Sequence, residues 1–445
     1  MGPATLACPG MELADWLTSA AQEAPARAAV RTAHATVPYA DLARRADMAA
    51  GRLAARGVAR GDRVGIALAP GVAFVETLHA CWRLGAIAVP VDPRLSLDEV
   101  AQRTAGATTL VTEPLEGRAV PVALLDAHQS DDVAVVMHTS GTTAAPKPVS
   151  LTYGNFAASA RGSAAVLGSD PEERWLCALP LAHVGGLSIL VRSAIGRSTA
   201  VVHERFDVRA VTTALREDGV TMVSLVATML GRLLAGGLRH PPQLRCALIG
   251  GGPLRAELID RAEAAGIPLA QTYGLTEACS QVTTSAIGEP ETAGRPLPGT
   301  SLQIASDGEV LVAGPTVAPT ALAADGLLHT GDLGRLDAAG RLTVTGRRSE
   351  VIITGGENVA PAEVEAALAS HPAVADAAVY GRPDEHWGEA VNASVVLRTG
   401  ATATPVELRD HCRAVLAAFK VPKELRVVDA LPRTESGKLL RRGLA

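Results

Sequence analysis

A chain of 445 residues that is 48% apolar but only 3% aromatic is long enough for two or three domains, whose interiors Ala, Val and Leu must build. Its net charge of −5, with both signs interspersed, offers no basic stripe for nucleic acid and no polybasic segment for an anionic bilayer, which excludes those partners. The six cysteines, Cys8, Cys81, Cys177, Cys246, Cys279 and Cys412, have neither metal-ligand nor CxxC spacing and imply a reducing, cytoplasmic setting.

The first ten residues lack the basic region and apolar run of a signal peptide. Beyond them, runs at Arg63 to Ala69, Ala86 to Val91, Val133 to Met137, Ala200 to His203 and Cys246 to Ile249 read as strands. They alternate with Ala/Leu-rich helical stretches, the pattern of parallel sheets covered by helices. The most apolar long stretch, Met222 to Leu238, is interrupted by Ser224, Thr228 and Arg232 and falls short of the roughly 20 residues of a membrane span. From Thr300 the strands shorten and are broken by Gly and Asp, as in Gly308 to Val312 and Arg341 to Thr345, which predicts a small antiparallel or barrel-like unit. After Gly346 to Glu350 a second α/β pattern begins. It has a helix over Pro361 to Ser370 with Pro in its first turn, a helix from about Pro405 to Phe419, and a strand near Leu425 to Val428.

Several loops carry chemistry. The strand ending at Met137 runs into His138-Thr139-Ser140-Gly141-Thr142-Thr143-Ala144-Ala145-Pro146-Lys147, where hydroxyls, backbone N–H groups and an ammonium suit phosphate oxygens. The order is not GxxxxGK[ST]. Lys147 is one of only four lysines among 41 basic residues, with Lys420, Lys423 and Lys438, and an ammonium is a compact, mobile charge where guanidinium is a rigid fork. Gly250-Gly251-Gly252 leaves a side-chain-free surface for a flat base, and Tyr273 in Gln271 to Glu277 offers a stacking face. The same residues also read as a plain turn and a core tyrosine. Glu277 supplies a carboxylate for Mg²⁺ beside phosphate, and Asp332 in His329-Thr330-Gly331-Asp332 is either a ribose acceptor or a turn former.

In this combination and order the chain resembles the adenylate-forming superfamily of acyl-CoA ligases, carrier-charging adenylation domains and luciferases over essentially its whole length. The segments that carry the resemblance are Thr139 to Lys147, Gly250 to Gly252, Tyr273 to Glu277, Thr330 to Asp332, Gly346-Arg347 with Gly355 to Asn358, and Pro432 to Lys438. The resemblance implies an α/β fold: a large N-terminal domain over residues 1–346, with two helix-covered sheets and a small β-barrel-like unit, and a smaller mobile α+β domain over 350–445, hinged at 347–349. It implies ATP and Mg²⁺, with CoA as co-substrate. Thr139, Ser140, Gly141, Thr142, Thr143 and Lys147 would grip the phosphates, Gly251, Gly252, Tyr273, Gly274 and Thr276 the adenine side, and Asp332 and Arg347 the ribose. Glu277 would hold Mg²⁺, Lys438 would bridge carboxylate and phosphate during adenylation, and Gly355 and Gly356 would line the thiol path. Where the superfamily usually carries glycine this chain has Ala144 and Pro148, which predicts a stiffer phosphate loop, and Ser349 stands at the hinge in place of Asp or Lys.

Within the superfamily, Leu179 to Arg192 together with Thr276 to Gln281 looks like the o-succinylbenzoate–CoA ligases of menaquinone biosynthesis. That acid has a ring and two carboxylates. One is activated and the other needs a cation, for which Arg192 is the candidate; His183, Gly250 and Ser280 would line the acyl pocket, with His183 at its junction with the thiol site. Nine residues separate His183 from Arg192, so the two need not share a helix face, and Arg192 also reads as a solvated helix residue. Other aryl- or fatty-acyl-CoA ligases, and a stand-alone adenylation enzyme loading a carrier protein, share the nucleotide motifs. An ATP-binding regulator without catalysis is a third reading, opposed by Glu277, Asp332 and Lys438. Oligomeric state, a homodimer included, is open at this level.

Overall fold

The computed structural model describes residues 10–139, 146–252, 254–355, 357–384, 387–433, 439–441 and 444. Contacts between residues divide the chain into two compact units, Met1–Leu302 with Val312–Leu328, and Gln303–Leu311 with His329–Ala445.

The first unit holds two helix-covered sheets among its described residues. In the larger, nine strands run in the order Arg295–Pro296, Ser280–Thr284, Leu269–Leu275, Cys246–Gly250, Met222–Val226, Arg174–Cys177, Thr199–Val202, Ala28–Arg31 and Thr36–Pro38. The six strands from Leu269–Leu275 through Ala28–Arg31 are mutually parallel, and antiparallel strands close both edges. Cys246–Gly250 and Met222–Val226 are almost wholly buried, which is why they read as unbroken apolar runs rather than alternations. The apolar stretch from Met222 to Leu238 is a buried strand followed directly by the helix Ala227–Ala235, too short on either count to cross a membrane. The second sheet orders Thr109–Val111, Arg63–Ile66, Ile87–Pro90, Val133–Thr139 and Lys147–Thr152, the last pair antiparallel. Local signals place the helices. Ser96 and Glu99 form a capping box at Leu97–Arg103, Thr152 and Asn155 form another at Tyr153–Leu167, and Gly85 ends Val72–Leu84 at φ +68°.

A four-stranded sheet of Ser301–Ile304, Glu309–Ala313, Leu328–Leu336 and Leu342–Arg347 realises the small unit expected after Thr300. The strand Leu342–Arg347 leads into a 3₁₀ turn, Arg348–Glu350, where the hinge is expected. In the second unit a five-stranded sheet carries Ile352, Val379, Val391 and Val395 on an apolar core shared with Val364 and Leu368 of the helix Pro361–Ala369 and Leu408 of the helix Pro405–Val415. The latter helix ends four residues before Phe419. Leu416 turns to φ −123° and ψ 153°, and with Phe419 it packs against this core, so burial overrides the Ala-rich helical preference.

Candidate active site

In the first unit the sheet topology gathers most of the expected nucleotide residues at the ends of neighbouring strands. Cys246–Gly250 lies parallel to Leu269–Leu275 with Ile249 opposite Gln271, so the strand ends carrying Gly250 and Tyr273 are adjacent. Gly251 takes φ +80°, and a Cβ at Gly252 would meet nothing within 4 Å, so this glycine turn leaves open space. Tyr273 is half-buried rather than sealed in the core. The strand bulges between Tyr273 and Gly274, then turns through the 3₁₀ segment Thr276–Ala278 into Ser280–Thr284. Cys279 and Ser280 sit at φ +50° and +91°, unusual for residues with side chains, and Gly274 passes so close to Ser280 that a Cβ would lie 1.7 Å from the Ser280 carbonyl oxygen. Glu277 stands on this turn, half-buried, and its carbonyl accepts the Ala318 N–H at 2.8 Å.

Thr139 ends its strand and pairs with Lys147, which opens the returning strand. Lys147, expected inside the phosphate loop, is therefore its exit, because antiparallel pairing extends to it. The strand it begins contacts the Glu277 turn. Ser140, Gly141, Thr142 and Thr143, with Ala144, lie outside the described residues, as do Gly356 and Lys438.

The acyl-pocket candidates separate. His183 is the N-terminal flanking residue of the helix Val184–Gly196 and is exposed at its edge. The packing around the rest of its ring, and then the Arg94 and Arg103 charges, outweigh Asp92 and hold its imidazolium pKa down, which favours a neutral ring. Arg192, on the same helix, is only 8% exposed, and burial draws its pKa down to about 10. One Nη donates to Ser159 Oγ at 3.2 Å, the guanidinium lies 5.6 Å from the Trp175 ring centroid, and Nε has no partner. Among the described residues no carboxylate pairs with it. Ser159 Oγ in turn donates to the carbonyl of Cys279 at 2.8 Å, so the buried cation is joined through Ser159, by two hydrogen bonds, to the turn that carries Glu277 and Ser280. The alternative of a solvated helix arginine is overturned by this burial.

In the second unit Arg347 Nε meets Asp332 Oδ1 at 2.7 Å across the paired strands Leu328–Leu336 and Leu342–Arg347. Asp332 is thus within a strand, following Gly331 at φ +69°, rather than in an isolated turn. Thr330 Oγ1 donates to the Val310 carbonyl and accepts the Asp332 N–H, presetting the carboxylate. Gly355 adopts φ +60° with the Trp387 ring over it, 3.0 Å from where a Cβ would be.

Sequence reasoning missed four contributors. Ser159 and Trp175 surround Arg192 from other elements, and nothing local announces them. Arg94 forks onto Asp92 at 2.9 and 2.6 Å beside His183. Glu309 is buried and accepts the Gly331 N–H at 2.8 Å, steadying the Asp332 turn; a lone acid opening an apolar strand was the available signal.

The magnesium expectation can be weighed on the donor set. Among the described residues no group of three or more His, Cys, Asp or Glu side chains assembles to hold a metal. A single carboxylate, Glu277, suits Mg²⁺, which dehydrates reluctantly and is commonly held by one or two carboxylates with substrate phosphates.

Comparison with known proteins gives matches to the AMP-binding enzyme family over residues 17–128 and 112–320, and to the AMP-binding enzyme C-terminal domain over 363–438. The 2-succinylbenzoate–CoA ligase of Bacillus subtilis (strain 168) is 39% identical over 479 aligned positions, covering 97% of this chain and 98% of that protein. The structure of o-succinylbenzoate CoA synthetase (MenE) from Bacillus subtilis in complex with the acyl-adenylate intermediate OSB-AMP superposes with a TM-score of 0.90 at 39% identity, covering 98% of both chains. The same enzyme in complex with ATP and magnesium ion also superposes at 0.90, with 38% identity, covering 98% of this chain and 100% of that one.

Proposed function

Because the chain belongs to the AMP-binding enzyme family, we infer that it is an ATP-dependent acid–thiol ligase that converts o-succinylbenzoate to o-succinylbenzoyl-CoA through an acyl-adenylate, in menaquinone biosynthesis. The observation that carries the substrate is Arg192, a buried guanidinium without a carboxylate partner among the described residues. Burying an unpaired cation costs several kcal/mol, and that cost is offset when a substrate anion completes the pair. A dicarboxylic acid supplies one, with its second carboxylate free to react.

A carboxylate is a poor acyl donor because oxide would have to leave. In the first half-reaction its oxygen attacks the α-phosphorus of ATP and pyrophosphate departs; in the second, a thiol displaces AMP from the acyl carbon. This chain's contribution is positioning and charge neutralisation rather than a covalent enzyme intermediate. Thr139 and Lys147 with the residues between them would hold the β- and γ-phosphates, Gly251, Gly252 and Tyr273 the adenine, and Asp332 with Arg347 the ribose. Lys438 draws the two anions together. Glu277 would hold Mg²⁺, which when bound would supply charge neutralisation to the phosphates. A neutral His183 would border the acyl carbon at the start of its helix, apart from Arg192. For the thiol to enter, the portion from residue 350 onward turns about 347–349 and brings the Gly355 segment to the thiol path. The setting is the cytoplasm.

The test is a panel of carboxylic acids scored for AMP release, with free CoA or a carrier protein as thiol, in the parent enzyme and in Arg192→Ala. We expect o-succinylbenzoate with CoA to be preferred. Arg192→Ala should raise its KM about tenfold or more, the worth of one charge-assisted contact, while a plain aryl acid is little affected. Equal KM changes for both acids would remove the assignment of Arg192, and turnover with a carrier protein but not with CoA would favour a carrier-loading enzyme.

A further inference from the structure

Lys438 is followed after two residues by Arg441, and the side chain of Arg441 is committed to three separate elements of the second unit. Its Nε donates to the Val379 carbonyl at 3.1 Å, one Nη to Glu350 at 2.5 Å, and the other Nη to both oxygens of Glu365 at 2.8 and 3.0 Å. Glu365 also accepts the Val379 N–H at 2.9 Å, so the helix Pro361–Ala369, the strand Val374–Asp384 and the turn Arg348–Glu350 meet on one guanidinium. We propose that Arg441 is a positioning residue for the adenylation step, fixing the segment that bears Lys438 to the turn about which the C-terminal portion pivots.

Three features support a positioning role over general stability. The chain on either side of residues 434–438 is drawn together, because Arg433 and Leu439 form an antiparallel bridge and the Leu440 N–H donates to the Pro432 carbonyl at 2.9 Å. Fixing Arg441 therefore fixes the base of the stretch that contains Lys438. Among the described tail residues, 439–441 and 444, none is fully buried and Leu440 is 46% exposed, so charged and backbone contacts contribute to their fastening. Finally, Glu350 directly follows the hinge expected at 347–349, so on the proposed reading its link to Arg441 lies within the portion that turns. A guanidinium fork can meet the three acceptor groups at once, whereas an ammonium cannot reproduce that geometry.

This inference rests on the reading of Lys438 as the adenylation residue, and the experiment separates the two. Full-length Arg441→Ala, Arg441→Lys, Glu350→Gln and Lys438→Ala are assayed for ATP–pyrophosphate exchange with o-succinylbenzoate, and separately for thioester formation from supplied o-succinylbenzoyl-adenylate and CoA. Arg441→Ala should lower kcat for exchange about tenfold or more, on the scale of a lost charge-assisted hydrogen bond, with KM for ATP little changed and the thioester step intact. Arg441→Lys should recover only part of that loss, and Glu350→Gln should show the same selectivity in milder form, which keeps the test open if Arg441→Ala folds poorly. Equal loss of both half-reactions, or loss of exchange in Lys438→Ala without loss in Arg441→Ala, overturns the inference. Full exchange in Lys438→Ala instead overturns the reading of Lys438 on which it rests.

Discussion

His79 shows how a single residue can set acid stability away from the chemistry. It lies 2% exposed on the helix Val72–Leu84, its Nδ1 unpartnered, its ring edge-on to Trp82 at 5.0 Å. Burial pushes its pKa down to about 4, with the Asp15 charge only partly opposing. An unfolded histidine titrates near 6.5, so between about 6.5 and 4 the unfolded chain binds a proton that the folded chain refuses. Stability is therefore complete above that window and falls as pH drops through it, by roughly 3 kcal/mol if the whole shift is expressed. Asp15 acts in a different range. Burial alone would raise its pKa, but His128 and the Thr18 N–H reverse the sign, so its contribution persists until pH falls below about 3.9. Urea midpoints measured from pH 7 to 4 should decline in the parent enzyme and decline less in His79→Leu; parallel curves would show that His79 is not the source.

At the scale of elements, the turn from Leu269–Leu275 into Ser280–Thr284 positions the most chemistry and tolerates the least change. Gly274 and Gly252 make a natural contrast. A methyl at Gly274 collides with the Ser280 backbone, so Gly274→Ala must separate the strands at the bulge and displace Tyr273 and Glu277 together, at about 3 kcal/mol or more. A methyl at Gly252 meets open space. Gly274→Ala should lower both the melting temperature and ATP–pyrophosphate exchange, whereas Gly252→Ala should leave the melting temperature unchanged and raise KM for ATP. An unchanged KM in Gly252→Ala would mean that no base lies against that turn. The same elements mark what a sequence reader can see. Pro361 at the first turn and the unbroken apolar runs before Gly250 announce their helix and strand, because those signals are local. Lys147 reads as a loop residue in the sequence because antiparallel pairing with Thr139 is a contact between strands and not a property of either. The isolation of Arg192 is invisible for a similar reason: Ser159, Trp175 and Cys279 reach it from three other elements.

At the scale of the whole molecule, the proposed mechanism makes incompatible demands on Lys438 in its two half-reactions, and the hinge expected at 347–349 is where they would be reconciled. Arg347 is tied to Asp332, Arg348 to Asp307 and Glu309, and Glu350 to Arg441, which leaves Ser349 between ion pairs that lead toward the ribose residues on one side and the Lys438 segment on the other. Serine in place of the Asp or Lys common in the superfamily adds no charge to this junction. The Val351 N–H donates to the Arg348 carbonyl at 3.2 Å, which makes Ser349 the second residue of a tight turn, the position where proline is best tolerated. Ser349→Pro should therefore fold normally while fixing φ near −65° and stiffening the pivot. If turning about this segment separates the two half-reactions, the variant keeps one of them, adenylation scored by pyrophosphate exchange or thioester formation from supplied acyl-adenylate, and loses the other. Equal rates in both, at parent levels, would place the pivot elsewhere in the chain.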